Sequence, residues 1–150
     1  MRPTIFIGSD HAGYNLKNHL VKFLVEQGYE VTDEGAHELD RDDDYPDFAA
    51  AVGRRVVAEK AMGILLCGNA EGICIAANKI KNIRAGIGYS VYAARTTRED
   101  DDANIICLPG RVLTREEAER TALVFLTTRF SGAARHKRRI KKVKKLENEG

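Results

Sequence analysis

Short apolar runs alternate with stretches of helical spacing along almost the whole chain, and that alternation restricts the fold more than any other feature. Residues 4–8 (TIFIG) make a run suited to a buried strand, and the polar loop Ser9-Asp10-His11-Ala12-Gly13 follows it. From Asn15 onward, the spacing of Leu16, Leu20, Phe23, Leu24 and Gln27 predicts a helix that Gly28 ends. The unit then repeats. Strand patterns at 29–33, Met62–Cys67, Ile83–Gly88 and Asn104–Leu108 each lead into a helical segment. Pro46 opens a helix with Phe48, Val52 and Val56 on one face, and a short helix ends near Lys79. Ser90 caps a helix through about Glu99, Thr114 and Glu117 form a capping box for one through Phe130, and a last basic helix starts after Gly132.

Strands that are apolar at nearly every position, linked by helices, belong to a parallel sheet buried on both faces. The expected fold class is therefore α/β, a Rossmann-like three-layer α/β/α sandwich with a five-stranded parallel sheet, in one domain over residues 1–150. A chain of 150 residues can build such a core, because at this size roughly two-thirds of the unfolded surface is buried on folding. With 43% hydrophobic and 31% charged residues, neither a disordered nor a fibrous class is indicated. No run reaches the roughly 20 apolar residues a membrane helix needs, and no secretory segment follows Met1, so the expected location is cytoplasmic. Cys67, Cys74 and Cys107 contain no C-x-x-C pair. They fit neither a disulfide framework nor a thiolate zinc site.

In open parallel sheets, ligands bind outside the carboxyl ends of the strands. That rule selects Ser9 to Gly13, Gly68 to Gly72 and the segment after the fourth strand. In "CGNAEG" at 67–72, the two glycines let the amides of the Gly68-Asn69-Ala70 turn face an anion, and the next helix N-terminus adds about half an elementary charge. Cys67 at its edge is either an acidified thiol or a small core residue. The stretch is neither G-x-G-x-x-G nor a P-loop, which argues against a nucleotide. Arg135 and Arg139, four apart, share a helix face suited to gripping one phosphate, and Arg111 supplies a possible third guanidinium. Their alternative is a solvated basic helix over 135–145. No aromatic residue is interleaved there, so a nucleic-acid tail is disfavoured. Asp10 and His11 have an alternative of their own, a local Asx turn.

Taken together, "GSDHAG" at 8–13, "DYPDFA" at 44–49, "CGNAEGICIAANK" at 67–79, "IRAGIGYSVYAAR" at 83–95, "LPGRV" at 108–112 and "ARHKRRI" at 134–140 resemble the type B ribose-5-phosphate isomerase family. That family also contains galactose-6-phosphate and allose-6-phosphate isomerases. The resemblance runs in order along nearly the whole chain. It implies a metal-free, cofactor-free aldose–ketose isomerase working through a cis-enediolate. It also implies a homodimer with sites at the subunit interface, with a tetramer of paired dimers as the alternative assembly, and no nucleic-acid or membrane partner. By position, Cys67 matches the family's usual base, with Glu71 the alternative, and Gly68 to Gly72 matches its enediolate-stabilising loop. Asp10 and Tyr45 match residues near the sugar, and His11, Arg111, Arg135 and Arg139 match phosphate contacts.

One segment departs from the resemblance. Relatives carry His-Asn in a pattern R-x-H-N-x-x-N before the fifth strand, and that His is assigned to opening the furanose ring; here Asp100 and Asp101 stand in their places. The histidines are His11, His19, His37 and His136, so the sequence puts none nearby. An ordinary aspartate near about 3.9 is a poorer acid source at neutral pH than an imidazole near about 6.5. Three expectations follow: Asp100 opens the ring, the sugar arrives open, or the activity has changed to a hexose 6-phosphate or to binding without turnover.

Overall fold

A computed structural model describes residues 2–150. Five parallel strands, β1 (Ile5–Ser9), β2 (Val31–Asp33), β3 (Met62–Cys67), β4 (Ala85–Ile87) and β5 (Ile105–Pro109), lie in the order β2-β1-β3-β5-β4. The helices are α1 (Tyr14–Glu26), α2 (Tyr45–Glu59), α3 (Glu71–Ala77), α4 (Val91–Asp101), α5 (Arg115–Thr127) and α6 (Ala134–Glu149). The expected three-layer sandwich is the observed one.

Side chains alternate across the sheet, and the two faces gather separate cores. Ile5, Ile7, Ile64, Leu66, Ile106 and Leu108 pack with Leu20 and Leu24 of α1, Ala94 of α4 and Phe125 of α5. Phe6, Leu65, Cys67, Ile105 and Cys107 pack with Val52 and Val56 of α2 and Ile73 and Ala77 of α3. Apart from Ser9 at the end of β1, the three central strands carry no polar side chain, as a sheet covered on both sides requires. Beneath the loop after β2, the fully buried Lys17 ammonium bonds both oxygens of Asp33, at 2.9 and 2.7 Å, and the Ala36 carbonyl at 2.6 Å. That buried pair ties α1 to the edge of the sheet.

Element boundaries differ from the sequence pattern where side chains intervene. Asp10 caps a single 3₁₀ turn at His11–Gly13, so α1 begins at Tyr14. The α4 helix runs past Glu99 through Asp101, because Asp102 adopts a left-handed cap (φ 49°) and Arg98 reaches both Asp102 Oδ1 (2.9 Å) and the Ala103 carbonyl (2.7 Å). Asp100 and Asp101 thus lie on the last helical turn rather than in a loop. The α5 helix stops at Thr127, not Phe130; Thr128 is extended and its carbonyl accepts from Arg98 Nε at 3.1 Å. The capping box of Thr114 with Glu117 and the Ser90 cap are both present.

Because β1 leads outward to β2 while β3 lies on its other side, the loops after β1 and β3 diverge at their carboxyl ends. A crevice opens there, at the switch in strand order.

Candidate active site

Three loops build one wall of this crevice. After β1, Asp10 is buried and its Oδ1 accepts from the amides of Ala12 (3.0 Å) and Gly13 (3.2 Å). This is the Asx-type turn the sequence allowed, and it fixes the carboxyl in place. His11 is held by Asp43, whose Oδ1 takes both the His11 amide (3.0 Å) and the ring Nδ1 (2.7 Å). That leaves Nε2 as the imidazole's outward face. Asp10, His11 and Asp43 bring three donor atoms within 4.8 Å of one another, but the imidazole Nδ1 is already engaged by Asp43 and Asp10 by backbone amides.

Burial, the largest influence, raises the Asp10 carboxyl above the ordinary aspartate range, and the Asp43 charge adds to this against the Gly13 amide and His11. An acid with a raised native pKa favours folding at low pH, and that contribution is lost as pH rises through the raised value. Asp10→Asn keeps an acceptor for the two amides while removing the charge. We expect it to raise Tm at pH 7 and to leave Tm nearly unchanged near pH 3, as thermal melts at the two pH values would show.

The second loop follows β3. Cys67 is its last strand residue and is 6% exposed. Among the described residues, the backbone N–H groups of Gly68, Asn69 and Ala70 find no acceptor, and Glu71 and Gly72 open α3, where first-turn amides have no partner in the helix. Gly68 and Ala70 are buried, and buried amides are nearly always paired, so the turn marks a place for an anion or an oxygen bearing developing charge. The α3 helix has only seven residues, so these amides, rather than a long helix dipole, supply the positive field. Ala70 holds a left-handed backbone (φ 67°, ψ −13°), which costs a residue with a Cβ about 1–2 kcal/mol. The strain is spent on shaping the turn.

Two neighbours press on this loop and explain its glycines. A Cβ at Gly72 would lie 2.6 Å from Tyr45 Cζ, and one at Gly68 would lie 2.7 Å from a guanidinium nitrogen of Arg111. Tyr45 comes from the first turn of α2, where Pro46 fixes the backbone. Arg111 comes from the loop after β5, whose amide donates to the Gly68 carbonyl at 3.0 Å. Glu71 is exposed at the start of α3. Of the other thiols, Cys107 is fully buried and pushed well above the usual thiol range by that burial, which leaves it a core residue.

The fold thus brings together Asp10, His11, Tyr45, Cys67, Gly68, Asn69, Ala70, Glu71, Gly72 and Arg111. Asp100, Asp101, Arg135 and Arg139 lie elsewhere. The turn at Asp100 and Asp101 precedes β5 and so lies at the amino ends of the strands, where Arg84, just before β4, donates from Nε to the Asp101 carbonyl at 2.9 Å. The α6 helix packs there too, since His136 Nε2 stands 3.5 Å from Asp100 Oδ1. Arg135 and Arg139, both exposed, flank that histidine on α6. One chain therefore holds the expected site residues in two groups at opposite ends of its sheet.

That contact corrects the expectation that no histidine is near Asp100. His136 is 36 positions away in sequence but buried beside it, with Nδ1 on Ser131 Oγ at 2.6 Å. His19, by contrast, pairs with Glu119 at 2.6 Å on the surface of α1 and α5. Sequence reasoning also missed Asp43, which nothing in the run DRDDDYPD distinguishes from its acidic neighbours, and Tyr89, whose Oη donates to the Asn69 carbonyl at 2.6 Å.

Comparison with known proteins agrees with this geometry. Residues 5–143 match the family model of the ribose/galactose isomerases. A probable ribose-5-phosphate isomerase B of Mycoplasma genitalium is 41% identical over 151 aligned positions, covering 99% of both chains. The ribose-5-phosphate isomerase B of Mycobacterium tuberculosis is 42% identical, covering 91% of this chain and 85% of its own. Among solved structures, the Clostridium thermocellum ribose-5-phosphate isomerase B superposes with a TM-score of 0.94 at 42% identity, covering 97% of this chain and 98% of that one. The Mycoplasma genitalium enzyme, solved with bound ribulose 5-phosphate, gives a TM-score of 0.94 at 40% identity, covering 98% of this chain and 97% of that one. With the fold and nearly the whole length of the chain in agreement, the protein belongs to the ribose/galactose isomerase family, among the type B ribose-5-phosphate isomerases.

Proposed function

We propose that the protein interconverts ribose 5-phosphate and ribulose 5-phosphate by proton transfer between C2 and C1 through a cis-enediolate. The observation that carries this reading is the turn of unpaired amides from Gly68 to Ala70 directly after Cys67, leading into the first turn of α3. Isomerisation needs a base beside the carbon acid and donors for the oxygen that becomes negative. Cys67, buried where the loop leaves the sheet, serves as the base; Glu71, exposed and alongside Tyr89, is the less favoured candidate. Asp10, fixed by two amides, hydrogen-bonds a sugar hydroxyl, and Tyr45 covers the loop.

The phosphate, carrying roughly −1.5 to −2 charges at neutral pH, is met by His11 and Arg111 from one subunit. Arg135 and Arg139 reach it from a second copy, since within one chain they sit at the far end of the sheet. The working unit is therefore a homodimer whose sites join two chains. The same juxtaposition delivers Asp100 with His136 behind it, a carboxyl and an imidazole in place of a lone histidine for opening the ring. Pairing of dimers into a tetramer adds nothing that this site needs.

Ribose 5-phosphate incubated with the protein in deuterated water is the direct test. Ribulose 5-phosphate should form, and solvent deuterium should enter the sugar at the carbon that is reprotonated, as followed by NMR. Binding without formation of the ketose or exchange would reduce the protein to a sugar-phosphate binder.

A further inference from the structure

Tyr89 lies on the turn between β4 and α4, and the reaction as described above leaves it without a role. The β4 strand is the edge of the sheet, separated from β3 by β5. Tyr89 nonetheless reaches across to the loop after β3, where its Oη donates to the Asn69 carbonyl at 2.6 Å. A bond that short is well formed for a hydroxyl donor. Asn69 immediately precedes Ala70, whose left-handed backbone no side-chain cap supports. The peptide joining them is planar and trans, so fixing the Asn69 carbonyl also fixes the opposed Ala70 N–H. That N–H is one of the loop amides without an acceptor.

We propose that Tyr89 is a positioning residue for the isomerisation: its phenol locks the Asn69–Ala70 peptide and so aims the Ala70 N–H at the oxygen that becomes negative in the enediolate. The inference rests on the isomerase reading and goes beyond it by naming the group that preorganises this donor. Donors already aimed at developing charge need no reorganisation as the reaction proceeds, and a loop held in a strained turn needs an outside tether to stay so. The tether comes from outside the loop, from the turn between β4 and α4. Burial, the Glu71 carboxylate and Cys67 all push the Tyr89 phenol upward, so it keeps its proton and remains a donor across the neutral range.

Tyr89→Phe removes the hydroxyl and keeps the ring, and with the side chain 41% exposed the substitution leaves the core untouched. Expected results are a fall in kcat of about tenfold with KM within about twofold, because the lost interaction belongs to the transition state. A hydroxamate sugar phosphate, which mimics the enediolate, should bind about tenfold more weakly, while inorganic phosphate binds as before. The NMR order parameters of the Asn69 and Ala70 backbone N–H groups should fall in the variant while those of the central strands stay as in the wild type. Unaltered kcat, equal weakening of hydroxamate and phosphate, or unaltered order parameters in the loop would each overturn the proposal. A wild-type protein that converts no ribose 5-phosphate would instead overturn the isomerase reading, and the order parameters would still decide whether Tyr89 holds the loop.

Discussion

Cys67→Ala is expected to lower kcat on ribose 5-phosphate by about 10³-fold, the range that loss of a positioned proton-transfer group produces. The thiol is the buried titratable group at the end of β3, followed at once by the amides that would hold the enediolate oxygen. Removing it leaves those donors and the phosphate contacts intact, so KM should change little while the chemical step collapses. Glu71→Gln is the matched control, because Glu71 projects from the opening turn of α3 into solvent. Its effect should stay within about tenfold, as for a group that assists rather than transfers the proton. Steady-state kinetics of the two variants decide the matter. Near-normal turnover by Cys67→Ala with collapse in Glu71→Gln would transfer the role of base to the carboxylate.

The second large effect concerns assembly. Cys67→Ala and Arg139→Ala should each be nearly inactive as pure proteins, since the first would lose the proposed base and the second the proposed phosphate contact from α6. Refolded together in equal amounts, they should recover about one quarter of wild-type activity, because half the dimers are mixed and each mixed dimer has one intact site. Recovery requires that the thiol and the guanidinium of one site come from different chains. The structure gives the reason: Arg139 lies on the helix that packs beside Asp100 at the amino ends of the strands, whereas Cys67 lies at the carboxyl ends. No recovery on mixing would mean that the two half-sites never meet, and the phosphate would have to be held by His11 and Arg111 alone.

The fold was legible in the sequence because its signals are local. Runs such as TIFIG and MGILLC, buried on both faces, announce central strands, and Pro46, Ser90 and Thr114 announce helix starts. Boundaries slipped where a distant side chain decided them, as where Arg98 extends α4 to Asp101 and its Nε bonds the Thr128 carbonyl. The strand order, with β5 between β3 and β4, has no signature in any single segment. The grouping of the candidate site was legible where its residues sit in one short loop, as at Cys67 to Gly72, or where motif resemblance carried it, as at Asp10 and Arg111. It was not legible where function depends on contacts between segments far apart in sequence. Asp43 gains meaning only beside His11, Tyr89 only beside Asn69, and His136 only beside Asp100.

The flanks of the sheet carry a consequence for self-association. Both β2 and β4 are only three residues long, so an incoming strand would find little exposed backbone to zip against, and such stunted borders are how natural sheets resist ribbon-like polymerisation. Any pairing of copies would therefore run through helices and loops rather than by lengthening the sheet.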